Sequence, residues 1–162
     1  MVQINYLYHA GMSTERDALA DIDTALMRLR RLWTTPHRRA DLERDVGEGV
    51  PLSQVLVVDA VARGGHTGEV TVGSVAEQLS IDESTASRLI DATVRAGFAE
   101  RGRSPADARR AVLTLTPAGR QLYDRAVAYR VDYLAGLLDD WTPWERDVFA
   151  ELLRRFADAV AG

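Results

Sequence analysis

The sequence predicts a mainly helical chain with one small β-hairpin, in which a helix–turn–helix unit and its hairpin stand between long amphipathic helices. Three observations predict it. Residues 71–97, TVGSVAEQLSIDESTASRLIDATVRAG, read as a short helix, a tight turn and a longer helix that ends on glycine. The stretch 99–116 places strand-like segments on either side of the polar loop SPADAR. The apolar residues of 13–48 and 117–162 recur at helical spacing.

Taken in order, Ser13 is the expected N-cap of a first long helix. Leu19, Ile22, Leu26, Leu29 and Trp33 follow at intervals of three and four, the seam of a helix that packs along another. Pro36 ends or kinks that helix. The charged segment His37–Gly49, broken by Gly47 and Gly49, reads as a short helix and a loop. Pro51 at the first helical position opens the next helix, with Val55, Leu56, Val58 and Val61 expected inside, and Gly64-Gly65 stops it. Thr71 caps a helix whose Val75, Ala76 and Leu79 face inward, Ser80-Ile81 makes the turn, and Asp82 caps a second helix running to about Ala96.

In the second strand, Val112, Thr114 and Thr116 alternate with Leu113 and Leu115, the period of a half-buried strand. Thr116-Pro117 opens a long helix with Leu122, Ala126, Tyr129, Tyr133 and Leu137 as its inward stripe. Thr142 to Glu145 forms a capping box for the last helix, whose stripe is Val148, Phe149, Leu152, Leu153, Phe156 and Val160. The expectation is one domain over 1–162, with a winged helix-turn-helix at 51–116 and dimerisation helices at 13–48 and 117–162. Those terminal helices carry more apolar surface than the small central unit can cover, so a homodimer is expected. Leu19, Ile22, Leu26, Val148, Leu152 and Phe156 are its expected contact residues.

Composition excludes much chemistry. The chain has no cysteine, which removes disulfides, thiolate nucleophiles and cysteine–zinc sites. All 20 basic residues are arginine, so there is no lysine for a Schiff base or a P-loop. His9, His37 and His66 lie apart and outside any H-E-x-x-H pattern, and RGGHTGEVTVGS lacks phosphate-loop spacing. No metal, cofactor or catalytic site is therefore expected. The N-terminal MVQINYLYHAGM has neither a basic start nor a continuous apolar core, and no apolar run reaches the roughly 18 residues of a membrane span. The cytoplasm is the expected compartment.

The net charge of −4 is unevenly spread. Ser84–Arg110 holds six arginines against three acids, whereas 117–162 holds six against eight. A duplex feels the face presented to it, so the basic middle outweighs the total. Ser84, Thr85, Ser87 and Arg88 open the second helix of the unit. Small hydroxyl residues let a helix approach base edges, and arginine pairs with guanine O6 and N7. The plainer reading of Ser84 and Thr85 is an extended cap with Arg88 in solvent. An arginine on a hairpin tip suits a narrow minor groove, and arginines beside it suit phosphates.

The segments LSIDESTASRLIDATVRAGFAER and DARRAVLTLTPAG closely resemble the winged-helix core of the MarR (multiple antibiotic resistance regulator) family. The shared points are Asp107-x-Arg109 in the wing, Leu115-Thr116-x-x-Gly119 after it and Ala96-Gly97-Phe98 at the helix end, with helix order agreeing over about 13–160. The resemblance implies a homodimer on a pseudo-palindromic double-stranded DNA operator, released by a small-molecule effector. It assigns the minor-groove contact to Arg109, with Asp107 bracing its guanidinium, which leaves Arg103 and Arg110 beside it as the expected phosphate contacts. The chain lacks the reactive cysteine of the family's peroxide-sensing branch and the histidine cluster of its zinc-sensing members. The aromatic residues of the terminal helices read first as core and interface. As effector contacts, the candidates are Trp33 and Tyr123, with Arg38 or Arg39 holding an anionic ligand. The alternative function is a dimeric adaptor that uses its winged unit for protein contacts without DNA.

Overall fold

The computed structural model describes residues 15–29, 46, 49–66, 68–107 and 109–161. It divides into two units at residues 41 and 42, and each is described by itself. The first contains α1 (Glu15–Leu29), an amphipathic helix whose Leu19, Ile22, Leu26 and Leu29 are exposed, Leu19 by 60%. Ser13, Trp33, Pro36, Arg38, Arg39 and most of His37–Gly49 lie outside the described residues.

The second unit runs in the order α2 (Leu52–Gly64), α3 (Val72–Leu79), α4 (Glu83–Arg95), β1 (Ala99–Arg103), β2 (Ala111–Leu115), α5 (Pro117–Leu137) and α6 (Pro143–Ala161). Helix α2 is its centre and touches α3, α4, α5 and β2. Its Val55, Val57, Val58, Ala60 and Val61 are buried, an apolar run broad enough to face neighbours on several sides. Around it close Val75 and Ala76 of α3, Ala86 and Ile90 of α4, Leu113 and Leu115 of β2, and Leu122 and Ala126 of α5. Asp59 leaves this helix to meet Arg130 Nη2 of α5 at 2.7 Å and Arg63 Nε at 2.6 Å, and it holds the Arg63 pKa above its usual value.

The caps of α3, α4 and α6 stand on the residues expected of them. The Thr71 hydroxyl accepts from Ser74 N at 3.2 Å, while the Ser74 hydroxyl accepts from Thr71 N at 2.8 Å. At the other end of α3, Ser80 adopts the left-handed conformation (φ 53°, ψ 45°) and Ile81 N donates to Ala76 O at 3.0 Å. Helix α4 closes with the same device built on glycine: Gly97 has φ +80°, and Phe98 N donates to Thr93 O at 3.1 Å. The Thr142 hydroxyl and amide both donate to Glu145 Oε2 at 2.8 Å at the start of α6.

Strands β1 and β2 pair antiparallel from Ala99↔Leu115 to Arg103↔Ala111. Val70 adds a bridge to Leu113, with Leu113 N donating to Val70 O at 2.9 Å. The wing is thereby anchored to the strand-like residues before α3.

Several expectations need correction. Pro51 is the N-cap of α2 and not its first helical residue (φ −61°, ψ 141°). Leu56 is 45% exposed, and Val57 takes the buried place, because the buried face of α2 turns onto four neighbours where a single stripe was anticipated. In β2, Val112 is buried along with Leu113 and Leu115, so the strand does not keep the strict alternation expected of it; its Cγ2 lies over the backbone of its cross-strand partner Gly102. On α5 the buried stripe stops at Ala126, while Tyr129 and Tyr133 are half-buried and Leu137 is exposed. A helix of 21 residues is about 32 Å long and outruns the core.

The end of α4, the hairpin and the start of α5 meet at one point. Thr116 N donates to Phe98 O at 3.2 Å, the Thr116 hydroxyl donates to Gly97 O at 2.6 Å, and the same hydroxyl accepts from Gly119 N at 3.0 Å. A Cβ placed on Gly119 would stand 1.8 Å from the Phe98 carbonyl oxygen. Gly119→Ala is expected to destabilise the protein by at least about 2 kcal/mol, because the clash is with backbone. Urea unfolding measures it, and a loss under about 1 kcal/mol would show that the junction yields freely.

Candidate nucleic-acid interface

The first turn of α4 is organised by Asp82. Its carboxylate accepts from the Ser84 hydroxyl at 2.5 Å, from Thr85 N at 2.9 Å and from the Thr85 hydroxyl at 2.8 Å. The Ser84 bond, followed by the two Thr85 bonds, drives the Asp82 pKa far below the usual carboxylate range. Arg88 folds back over this turn, its Nε 3.3 Å from Ser84 O and its Nη2 3.3 Å from Thr85 Oγ1. With its proton committed to Asp82, the exposed Ser84 oxygen is left as an acceptor, complementary to a cytosine N4 or adenine N6 amino group. Ser87 is half-buried on the same turn, and Ala86 and Ile90 anchor the opposite face in the core. The predicted cluster Ser84, Thr85, Ser87 and Arg88 therefore occurs as one surface, with Arg88 lying over the polar turn.

The hairpin is tied to α4 by Arg101 Nη2, which meets Asp91 Oδ1 at 2.8 Å. Its tip is closed by backbone bonds. Ser104 N donates to Arg110 O and Arg110 N donates to Asp107 O, each at 2.9 Å. The Ser104 hydroxyl, in a residue only 4% exposed, accepts from Ala106 N at 3.0 Å and Asp107 N at 3.1 Å and donates to the Glu69 carboxylate.

Asp107 does not brace the Arg109 guanidinium. Its Oδ1 accepts from Arg109 N at 3.0 Å, because the short turn brings the backbone amide, and not the long side chain, within reach. Arg103 and Arg109 are exposed, and neither has a carboxylate partner among the described residues. Arg110 lies 3.8 Å from Glu69. Glu69 and the Arg101–Asp91 pair were missed in the sequence: the first is 35 residues from Ser104, the second pair ten apart, and no local spacing marks either.

Tyr123 is half-buried against the core. Trp33 and Arg38 lie outside the described residues. Among the described residues no three metal-ligating side chains converge, and no helix is long and apolar enough to cross a membrane.

A helix with a polar first turn, joined to a hairpin whose Arg103 and Arg109 have no carboxylate partner among the described residues, completes a winged helix-turn-helix. The sequence model of the MarR family matches residues 48–110. The chain is 32% identical over 92 residues to the uncharacterized HTH-type transcriptional regulator YxaD of Bacillus subtilis, a match covering 57% of this chain and 64% of that one, under two thirds of the relative's length. Among solved structures it is similar to a MarR family protein from Bacillus stearothermophilus (TM-score 0.75, 18% identity, 92% of this chain and 99% of that one). It is also similar to Streptococcus pneumoniae FabT in complex with DNA (TM-score 0.56, 18% identity, 90% and 94%). At these identities the two structures speak to the fold. The family model thus covers the helix-turn-helix and the wing as far as Arg110, and over that region the chain is similar to the MarR family.

Asp82→Ala is expected to lower the thermal midpoint at neutral pH by removing the acceptor of three hydrogen bonds. A depressed carboxylate pKa stabilises the fold above the unfolded value of about 4 and loses that contribution as pH falls through the folded value. The gap between wild type and variant should therefore narrow steadily below pH 4 in calorimetric scans. An equal gap at pH 7 and pH 2 would contradict the charge-based account.

Proposed function

We propose that the chain is a homodimeric, sequence-specific DNA-binding regulator, a ligand-responsive repressor that reads a pseudo-palindromic operator. Residues 83–96 enter the major groove and the wing 103–110 reaches the minor groove. Half-sites are spaced about one helical turn, roughly 10 base pairs, apart. The observation that carries the reading is the pairing of a first turn that exposes Ser84 and Arg88 with a backbone-closed hairpin tip whose Arg103 and Arg109 have no carboxylate partner among the described residues. The FabT structure, solved with DNA, supports the same use of the fold.

Dimer formation is supported by the apolar surface of α1 and α6, each exposed in the described chain: Leu19, Ile22 and Leu26 on one, Val148, Leu152 and Phe156 on the other. Patches of this kind mark interfaces in soluble proteins. The ligand response follows from the family resemblance, with Tyr123 the described residue offered to an effector. The net charge of −4 is what favours the adaptor reading, and salt separates the two. Phosphate neutralisation makes DNA affinity fall steeply with salt, whereas protein docking does not.

Fragments selected from the host genome supply the probe. Arg109→Ala should weaken operator binding at least about tenfold, or ~1.4 kcal/mol, in titrations at fixed salt. Sedimentation should meanwhile show an unchanged dimer. Unaltered affinity removes Arg109 from the interface; a monomer, or a salt-insensitive complex, removes the proposal.

A further inference from the structure

The interface leaves one conspicuous group unexplained, the Glu69 carboxylate at the root of the wing. Glu69 precedes Val70, which is bridged to Leu113 of β2, so its backbone is held beside the hairpin. One carboxylate serves two partners. It accepts from the hydroxyl of Ser104, the buried residue whose oxygen in turn gathers the Ala106 and Asp107 amides. It also stands 3.8 Å from Arg110 Nη1. The first contact leads into a buried residue; the second is long and more exposed, with the Arg110 side chain 58% and the Glu69 side chain 30% exposed. An exposed pair of that length is worth little and gives way readily to a better anion.

We infer that Glu69 is a positioning residue with an electrostatic role: it sets the wing through Ser104 and neutralises Arg110 until a DNA phosphate takes its place. The inference rests on the DNA-binding reading above. Its consequence is a specific count of ions. When a free arginine meets a phosphate, a cation leaves the duplex, and the slope of log affinity against log salt steepens by about 0.9. When Arg110 exchanges Glu69 for a phosphate, the duplex loses a cation and the freed carboxylate regains one, so the net contribution to the slope is near zero. Arg103 has no carboxylate partner among the described residues and contributes the full amount. Glu69 thus trims the sequence-independent part of binding without touching a base.

The test is a salt titration of full-length protein on one 30-base-pair duplex, the tightest binder from the genomic selection. Glu69→Gln keeps an oxygen for Ser104 and removes the charge. It should bind about twofold to fivefold tighter at low salt and steepen the slope by about 0.9, with an unchanged thermal midpoint. Arg110→Ala on the wild-type background should leave the slope within about 0.3, while Arg103→Ala should flatten it by about 0.9. The arginine pair carries the test by itself should Glu69→Gln fold poorly. Equal flattening by Arg110→Ala and Arg103→Ala overturns the inference, as does a Glu69→Gln slope identical to wild type. Wild-type protein that binds no duplex overturns the DNA-binding reading itself, and this inference with it.

Discussion

The Phe98 carbonyl approaches residue 119 so closely that only glycine fits, and on that approach the second unit depends. Four elements end or begin within a few residues of it: α4 stops at Arg95, β1 starts at Ala99, β2 stops at Leu115 and α5 starts at Pro117. Thr116 supplies a backbone donor, a side-chain donor and a side-chain acceptor to the same junction. The start of α5 is thereby bonded directly to the foot of the hairpin and to the C-terminal end of α4. At this point the start of the long helix α5 and the foot of the wing share one set of hydrogen bonds.

A second constraint is electrostatic. The chain as a whole is acidic, yet the exposed arginines of the wing face outward from a backbone-closed turn. Four acids near this surface are engaged: Asp82 with the Ser84 and Thr85 hydroxyls, Asp91 with Arg101, Asp107 with the turn backbone, Glu69 with Ser104 and Arg110. Each carboxylate is turned toward a donor on its own chain. Local polarity, and not the net charge, therefore decides what the surface attracts.

The elements whose limits were legible are those where a residue's own covalent chemistry sets the backbone. Thr71 and Asp82 cap because their side chains reach the amides three residues on, and Gly97 ends α4 because it tolerates φ +80°. Leu56 and Val57 show the limit of the same reasoning. Both are apolar and adjacent on α2, and which of them is covered depends on where α3, α4, α5 and β2 arrive. The reading of Asp107 erred for a related cause, since the pattern Asp-x-Arg does not say whether the carboxylate meets an amide or a guanidinium; the turn geometry does.

From the chain alone came the element order, the caps, the turn between α3 and α4, the hairpin and the arginines it would carry. These rest on spacing and on short-range bonds, which a linear text preserves. The tertiary structure alone decided that Gly119 lies beneath Phe98, that Asp59 joins α2 to α5, and that Glu69 holds Ser104 and faces Arg110. Those partners are from 21 to 71 residues apart, so only tertiary packing brings them together: α2 against α5, Val70 against β2, and the α4–hairpin–α5 junction.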